Sequence, residues 1–154
     1  MTRQAPPVRD LPAELISIRV GDQLFALDIM VVREIRGWSA STPLPQAPAY
    51  VLGMINLRGT VLPVLDLASR LGLPPSRPDS SSVVVVAEFG ARPVGLLVSA
   101  VCDIITVAPE QVQTAPDLGD LGESAVVQGV ITLENEIVTL LDLNAAWPEA
   151  LLAA

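Results

Sequence analysis

GMINLRGTVLPVLDL, residues 53–67, has a counterpart in the same chain: GVITLENEIVTLLDL, residues 129–143. At an offset of 76 the two share Gly53/Gly129, Ile55/Ile131, Leu57/Leu133, Leu65/Leu141, Asp66/Asp142 and Leu67/Leu143, six identities in fifteen positions. Upstream, an offset of 69 aligns Gly21 with Gly90, Leu27 with Leu96, Val32 with Val101 and Ile35 with Ile104, and places Glu34 over Asp103. The seven additional residues fall in the Pro-, Gly- and acid-rich stretch 108–127. β-Hairpins resemble one another, so shared strand patterning is the alternative explanation. The reading adopted is an internal repeat of two similar small β units, residues 14–73 and 83–143.

The rest of the chain fits that frame. Short runs rich in Val, Ile and Leu are cut by Gly, Pro and Asp, the pattern of many short strands. LISIRV (15–20) and QLFALDI (23–29) flank Gly21-Asp22, a hairpin signal. Residues 1–13 are polar and Pro-rich and read as a flexible tail, PPSRPDSSS (74–82) as a linker loop, and 144–154 as a C-terminal helical piece. About five strands per unit predicts a mainly β fold in which each sheet protects its edges by curling into a barrel. Such small barrels have little core of their own, and sharing a hydrophobic wall would stabilise both.

Composition narrows the function. The 154 residues are 51% hydrophobic, with a mean hydropathy of +0.52. No run approaches the roughly 18 apolar residues of a membrane span, and no signal peptide is evident. The formal charge is −8. Residues 1–73 carry seven Arg against six acids; residues 74–154 carry two against eleven. An acidic second half and 3% aromatics argue against nucleic acid. The single cysteine, Cys102, fits a reducing cytoplasm. Histidine and lysine are absent, and no phosphate-binding or Cys-x-x-Cys motif is present. No metal, cofactor or small-molecule substrate is therefore expected, and no enzyme. A carboxylate hydrolase using Asp28 and Glu34 is the remaining enzymatic alternative.

Arg58 stands out because it sits inside an apolar hairpin. The first turn reads Leu57-Arg58-Gly59-Thr60, the second Leu133-Glu134-Asn135-Glu136. Gly59 and Asn135 both tolerate positive φ, so the turn is common to the repeats and the cation is not. Three readings are open: a solvated turn residue, an ion pair with Glu34, or part of a binding face framed by Val32 and Ile55. Strand periodicity would put Val32, Glu34 and Arg36 on one face. Asp66 and Asp142 precede helix-compatible stretches and read as N-caps.

FALDIMVVREIRGWSASTPLPQAPAYVLGMINLRGTVLPVLDLASRLGL (25–73) closely resembles the CheW-type chemotaxis coupling proteins. VGLLVSAVCDIITV (94–107) and VQGVITLENEIVTLLDL (127–143) resemble that family's second half, although Ser99 stands where the family often has Asp. The resemblance implies two five-stranded SH3-like β-barrels on a shared hydrophobic wall. It also implies a non-enzymatic, cytoplasmic adaptor at receptor arrays of the inner membrane. Its partners would be the regulatory domain of a CheA-type histidine kinase and the cytoplasmic tip of methyl-accepting chemoreceptors. The family's receptor-side residues match Val32, Glu34, Gly53 and Arg58, with a Glu34–Arg58 pair implied; kinase contacts would lie on barrel ends. The alternative role is a paralogous coupler of a non-taxis chemosensory pathway. A chain of this length is expected to have no room for a kinase core.

Overall fold

The computed structural model describes residues 14–89, 92–113, 127–133 and 135–142. The expected tail at 1–13 and helical piece at 144–154 lie outside the described residues. The strands are β1 (Glu14–Val20), β2 (Gln23–Asp28), β3 (Val32–Gly37), β4 (Val51–Leu57), β5 (Thr60–Asp66), β6 (Val83–Phe89), β7 (Arg92–Val98), β8 (Ala100–Thr106), β9 (Val112–Gln113), β10 (Val127–Leu133) and β11 (Glu136–Leu141). A single helical turn, Leu67–Arg70, follows β5. Among the described residues no helix is long and apolar enough to cross a membrane. The fold is mainly β, in two sheets: β8-β1-β2-β11-β10-β9 and β3-β6-β7-β5-β4.

The repeat is present, but with an exchange. Aligned by their offsets, β6 and β7 match β1 and β2, β8 matches β3, and β10–β11 match β4–β5. Both sheets then have one order, apart from the two-residue β9. In each, however, the first hairpin of one repeat joins the later strands of the other. Each expected unit, 14–73 and 83–143, thus gives a hairpin to its partner's sheet. The register agrees as well. β2 runs parallel to β11 with Ala26 opposite Leu140, and β7 runs parallel to β5 with Gly95 opposite Val64, the same pairing displaced by 69 and 76. The chain crosses between sheets at a 3-10 turn, Ile29–Val31, whose entry is fixed by Asp28 Oδ1 accepting the Met30 amide at 2.8 Å. Residues 74–82 connect β5 and its helical turn to β6, strands of one sheet, rather than linking independent units.

Continuous apolar runs become strands buried on both faces. On β1, Ile16, Ile18 and Val20 face the other sheet, while Leu15 faces its own sheet's interior with Ala26, Ile131, Val138 and Leu140. On β6, Val85 and Ala87 join the shared wall, and Val84 and Val86 pack inward with Leu57, Leu62 and Val64. Three cores result: one inside each sheet and one between them. The central one unites Phe25 and Leu27 with Leu65, Leu96 and Val98.

The five-stranded sheet curls. A flat sheet would separate β3 from β4 by four steps of about 4.8 Å, about 19 Å in all. Instead Thr42, beyond β3, bridges Met54 on β4 through two backbone hydrogen bonds of 2.9 and 2.7 Å. Gly53 admits that approach. Its φ is +154, and an added Cβ would lie 2.4 Å from the Thr42 carbonyl oxygen.

Candidate functional site

The β4–β5 hairpin pairs Leu57 with Thr60, so Arg58 and Gly59 alone form the turn. Both have positive φ, 52° and 90°. Two positive φ values mark the type I′ turn that matches strand twist. The sequence pattern assigned positive φ to Gly59; the structure gives it to Arg58 as well. The left-handed conformation costs a non-glycine residue about 1–2 kcal/mol. The turn is braced by Asn56 Oδ1, which accepts the Gly59 amide at 2.8 Å.

From this turn Arg58 Nη2 donates to Glu34 Oε1 at 2.5 Å. Glu34 is on β3, at the opposite end of the strand order, so the pair joins the two edges of the sheet. Arg36 Nη1 lies 3.4 Å from the other Glu34 oxygen. The Arg58 hydrogen bond chiefly, with help from Arg36, holds the Glu34 carboxyl below the ordinary carboxylate range, against a smaller opposing effect of desolvation. The same bond raises the Arg58 pKa. Of the three sequence readings, the ion pair is the one observed, and it is not buried: the Arg58 side chain is 70% exposed and that of Glu34 29%.

The pair stands at the mouth of the curled sheet, on a recess of ≈ 330 Å³ floored by Leu57, Leu62 and Val86. Arg33 and Glu88, a second ion pair, complete the rim. That pair was not read from the sequence, because Arg33 and Glu88 are 55 residues apart and meet only through β3–β6 pairing.

The structure corrects the expected shared face of Val32 and Glu34. The β3–β6 register shifts between these two residues, so Val32 is opposite Ala87 and Glu34 opposite Val86. The bulge at Arg33 sends Val32 to the shared wall and Glu34 to the mouth of the sheet. Ile55 is partly buried against the interior of the same sheet. Gly53 is buried at the Thr42 crossing. The Asp66 expectation also changes. Asp66 precedes the helical turn but makes no cap bond. It is buried, and its two oxygens accept Ser76 N at 2.9 Å and Ser76 Oγ at 2.6 Å, which ties down the 74–82 loop. Ser99 accepts the Gly21 amide at 3.1 Å.

A family model described as "CheW-like domain" matches residues 14–150. The chain is 47% identical over 148 residues to a "Chemotaxis protein CheW" of Rhizobium meliloti, covering 96% of each. It is 46% identical over 136 residues to a "Probable chemotaxis protein CheW" of Rhizobium etli, covering 88% of each. Among solved structures, the scaffolding protein TtCheW of Thermoanaerobacter tengcongensis superposes with a TM-score of 0.78 at 26% identity, over 86% of this chain and 90% of that one. With its repeated sheets, its wall and the arginine clamp at 34/58, this chain belongs to the CheW-like domain family.

Proposed function

We propose that this chain is a non-enzymatic scaffold that couples the cytoplasmic tip of chemoreceptors to the regulatory domain of a CheA-type histidine kinase, in the cytoplasm at receptor arrays. The observation that carries the reading is Arg58: a cation held exposed, in a conformation unfavourable for it, by a carboxylate from the far edge of the sheet. Such preorganisation lowers the ordering cost of binding. β3 ends the strand order, so one helix of a receptor tip lying along it would meet Val32 on one side and the Glu34–Arg58 pair on the other. Apolar contact would give area, and the guanidinium would set register against an acid of that helix. Gly53 supports the face from behind by admitting the Thr42 crossing, and Ile55 does so from the interior.

Hydrolase chemistry finds no support here. Glu34 is shifted below the carboxylate range, not raised, and its charge is already paired. Asp28 is engaged in its turn and does not line the Glu34 recess. The names of the relatives favour chemotaxis over another chemosensory output.

The test is calorimetric binding of a purified receptor tip and a kinase regulatory domain to wild type and Arg58→Asn. Asparagine suits the left-handed turn position, so the fold is retained. Receptor affinity is expected to fall about tenfold, equivalent to about 1.4 kcal/mol, with kinase affinity unchanged. Equal receptor binding by the two proteins would refute the proposed face.

A further inference from the structure

The recess at the mouth of the five-stranded sheet has a copy in the other sheet. A second recess, of ≈ 460 Å³, is lined by Ser17, Arg19, Cys102, Asp103, Leu133 and Val138, among others. At the repeat offsets these match Val86, Glu88, Arg33, Glu34, Leu57 and Leu62, all of which line the first. The same position in the fold is thus hollow twice, with different charges. In the first, two arginines and two glutamates close into two ion pairs. In the second, Asp103 replaces Glu34, while Cys102 replaces Arg33. The sequence position of Arg58 holds Glu134, so the sequence of the second repeat has no arginine at this turn. Glu136, matching Thr60, adds another carboxylate to the lining. Among the described residues, the side chains of Asp103, Glu136 and Arg19 make no ion pair.

We propose that the second recess receives an arginine side chain from a partner protein, supplying in trans the guanidinium that Arg58 supplies to the first recess in cis. The first recess shows the chemistry directly: a guanidinium bonded to the carboxylate at the Glu34 position, in a recess that Leu57 and Leu62 also line. The second keeps the apolar floor in Leu133 and Val138 and the carboxylate in Asp103. Asp103 is anchored by its own backbone, whose N–H donates to Ser17 Oγ at 3.0 Å and whose carbonyl accepts from the same hydroxyl at 3.1 Å. Arg19 would meet an acid beside the incoming arginine, as Glu88 meets Arg33. The surroundings suit a protein more than a free amino acid. Leu24 and Ile105, both partly buried, add apolar lining to that of Leu133 and Val138. Apolar side chains lining a charged socket are the composition of an interface.

Cys102 is the chain's one cysteine, is exposed and lines the recess, so it reports occupancy. The experiment measures the rate at which a neutral disulfide reagent modifies Cys102 in the full chain, with increasing N-acetyl-arginine amide. The expected result is a several-fold, saturable slowing, weaker with N-acetyl-lysine amide, abolished by Asp103→Asn and retained in Arg58→Asn. Equal protection by the two amides, or protection surviving Asp103→Asn, would overturn the assignment. So would faster modification after Arg3→Gln with Arg9→Gln in the absence of the amide, because the occupant would then be the chain's own N-terminal segment.

Discussion

Arg58 shows how one side chain can be placed against local preference. Its left-handed φ favours Asn or Gly, so the turn alone would not select arginine; what holds the side chain is Glu34 across the sheet mouth. The electrostatics give a pH signature. Glu34 is depressed in the folded state, so the stabilisation it contributes is present above the ordinary glutamate pKa and is lost as pH falls through the lowered one. Urea midpoints of wild type and Glu34→Gln should therefore differ at about pH 7 and converge as the pH falls through the lowered Glu34 value. A gap that stayed constant with pH would mean that the pair contributes through packing and not charge. Gly53 is the opposite case, a residue whose value is the absence of a side chain. Gly53→Ala would force the Thr42 crossing apart and is expected to cost about 1–3 kcal/mol. Gly59→Ala meets no atom within 4 Å and would incur only the φ penalty. Equal destabilisation of the two variants in chemical denaturation would contradict the steric account.

At the scale of elements, the loop 74–82 is held by one buried carboxylate. Asp66 sits at the end of β5, and both its oxygens go to Ser76. Asp66→Ala removes both acceptors and leaves the Ser76 amide to find water. It should cost about 1–3 kcal/mol, with amide exchange at Ser76 rising towards that of the exposed loop. Unchanged exchange there would place the anchor elsewhere. The bulge at Arg33 is the other element-level device. Without it, Val32 and Glu34 would share a face and Glu34 would turn to the wall with Val32, away from Arg58; with it, one edge strand serves two surfaces. The equivalent register shift between Ile16 and Ile18 on β1, opposite Ile104 and Val101, shows that the device belongs to both repeats.

Across the whole molecule, the exchanged hairpins make the two sheets one folding unit. Residues 14–73 and 83–143 each lack the strands that complete their own sheet. Expressed separately, these halves are expected to give unfolded spectra, and on mixing to recover β structure. A half that folded alone, with dispersed amide resonances, would show that the exchange is not required. The shared wall makes the same point energetically. Leu96→Ala, at a fully buried wall position, should cost about 2–5 kcal/mol, with both sheets melting in one transition. Separate transitions for the two sheets would contradict a common core.

The sequence by itself determined the strands, the hairpin turns, the duplication and the singular position of Arg58, because each is written in local chemistry: apolar runs bounded by Gly and Pro, a glycine in a tight turn, a cation in an oily hairpin. It also showed that the second repeat lacks that cation. Only the tertiary structure decided which hairpin completes which sheet, since parallel pairing of β2 with β11 joins residues more than a hundred positions apart. It decided the faces of Val32 and Glu34, since a single bulged residue reverses a period of two. It moved Asp66 from helix cap to loop anchor, because Ser76 folds back within reach. The physical reason is common to all three: strand patterning says which side chains must be buried, but the partner that buries them is chosen by long-range packing.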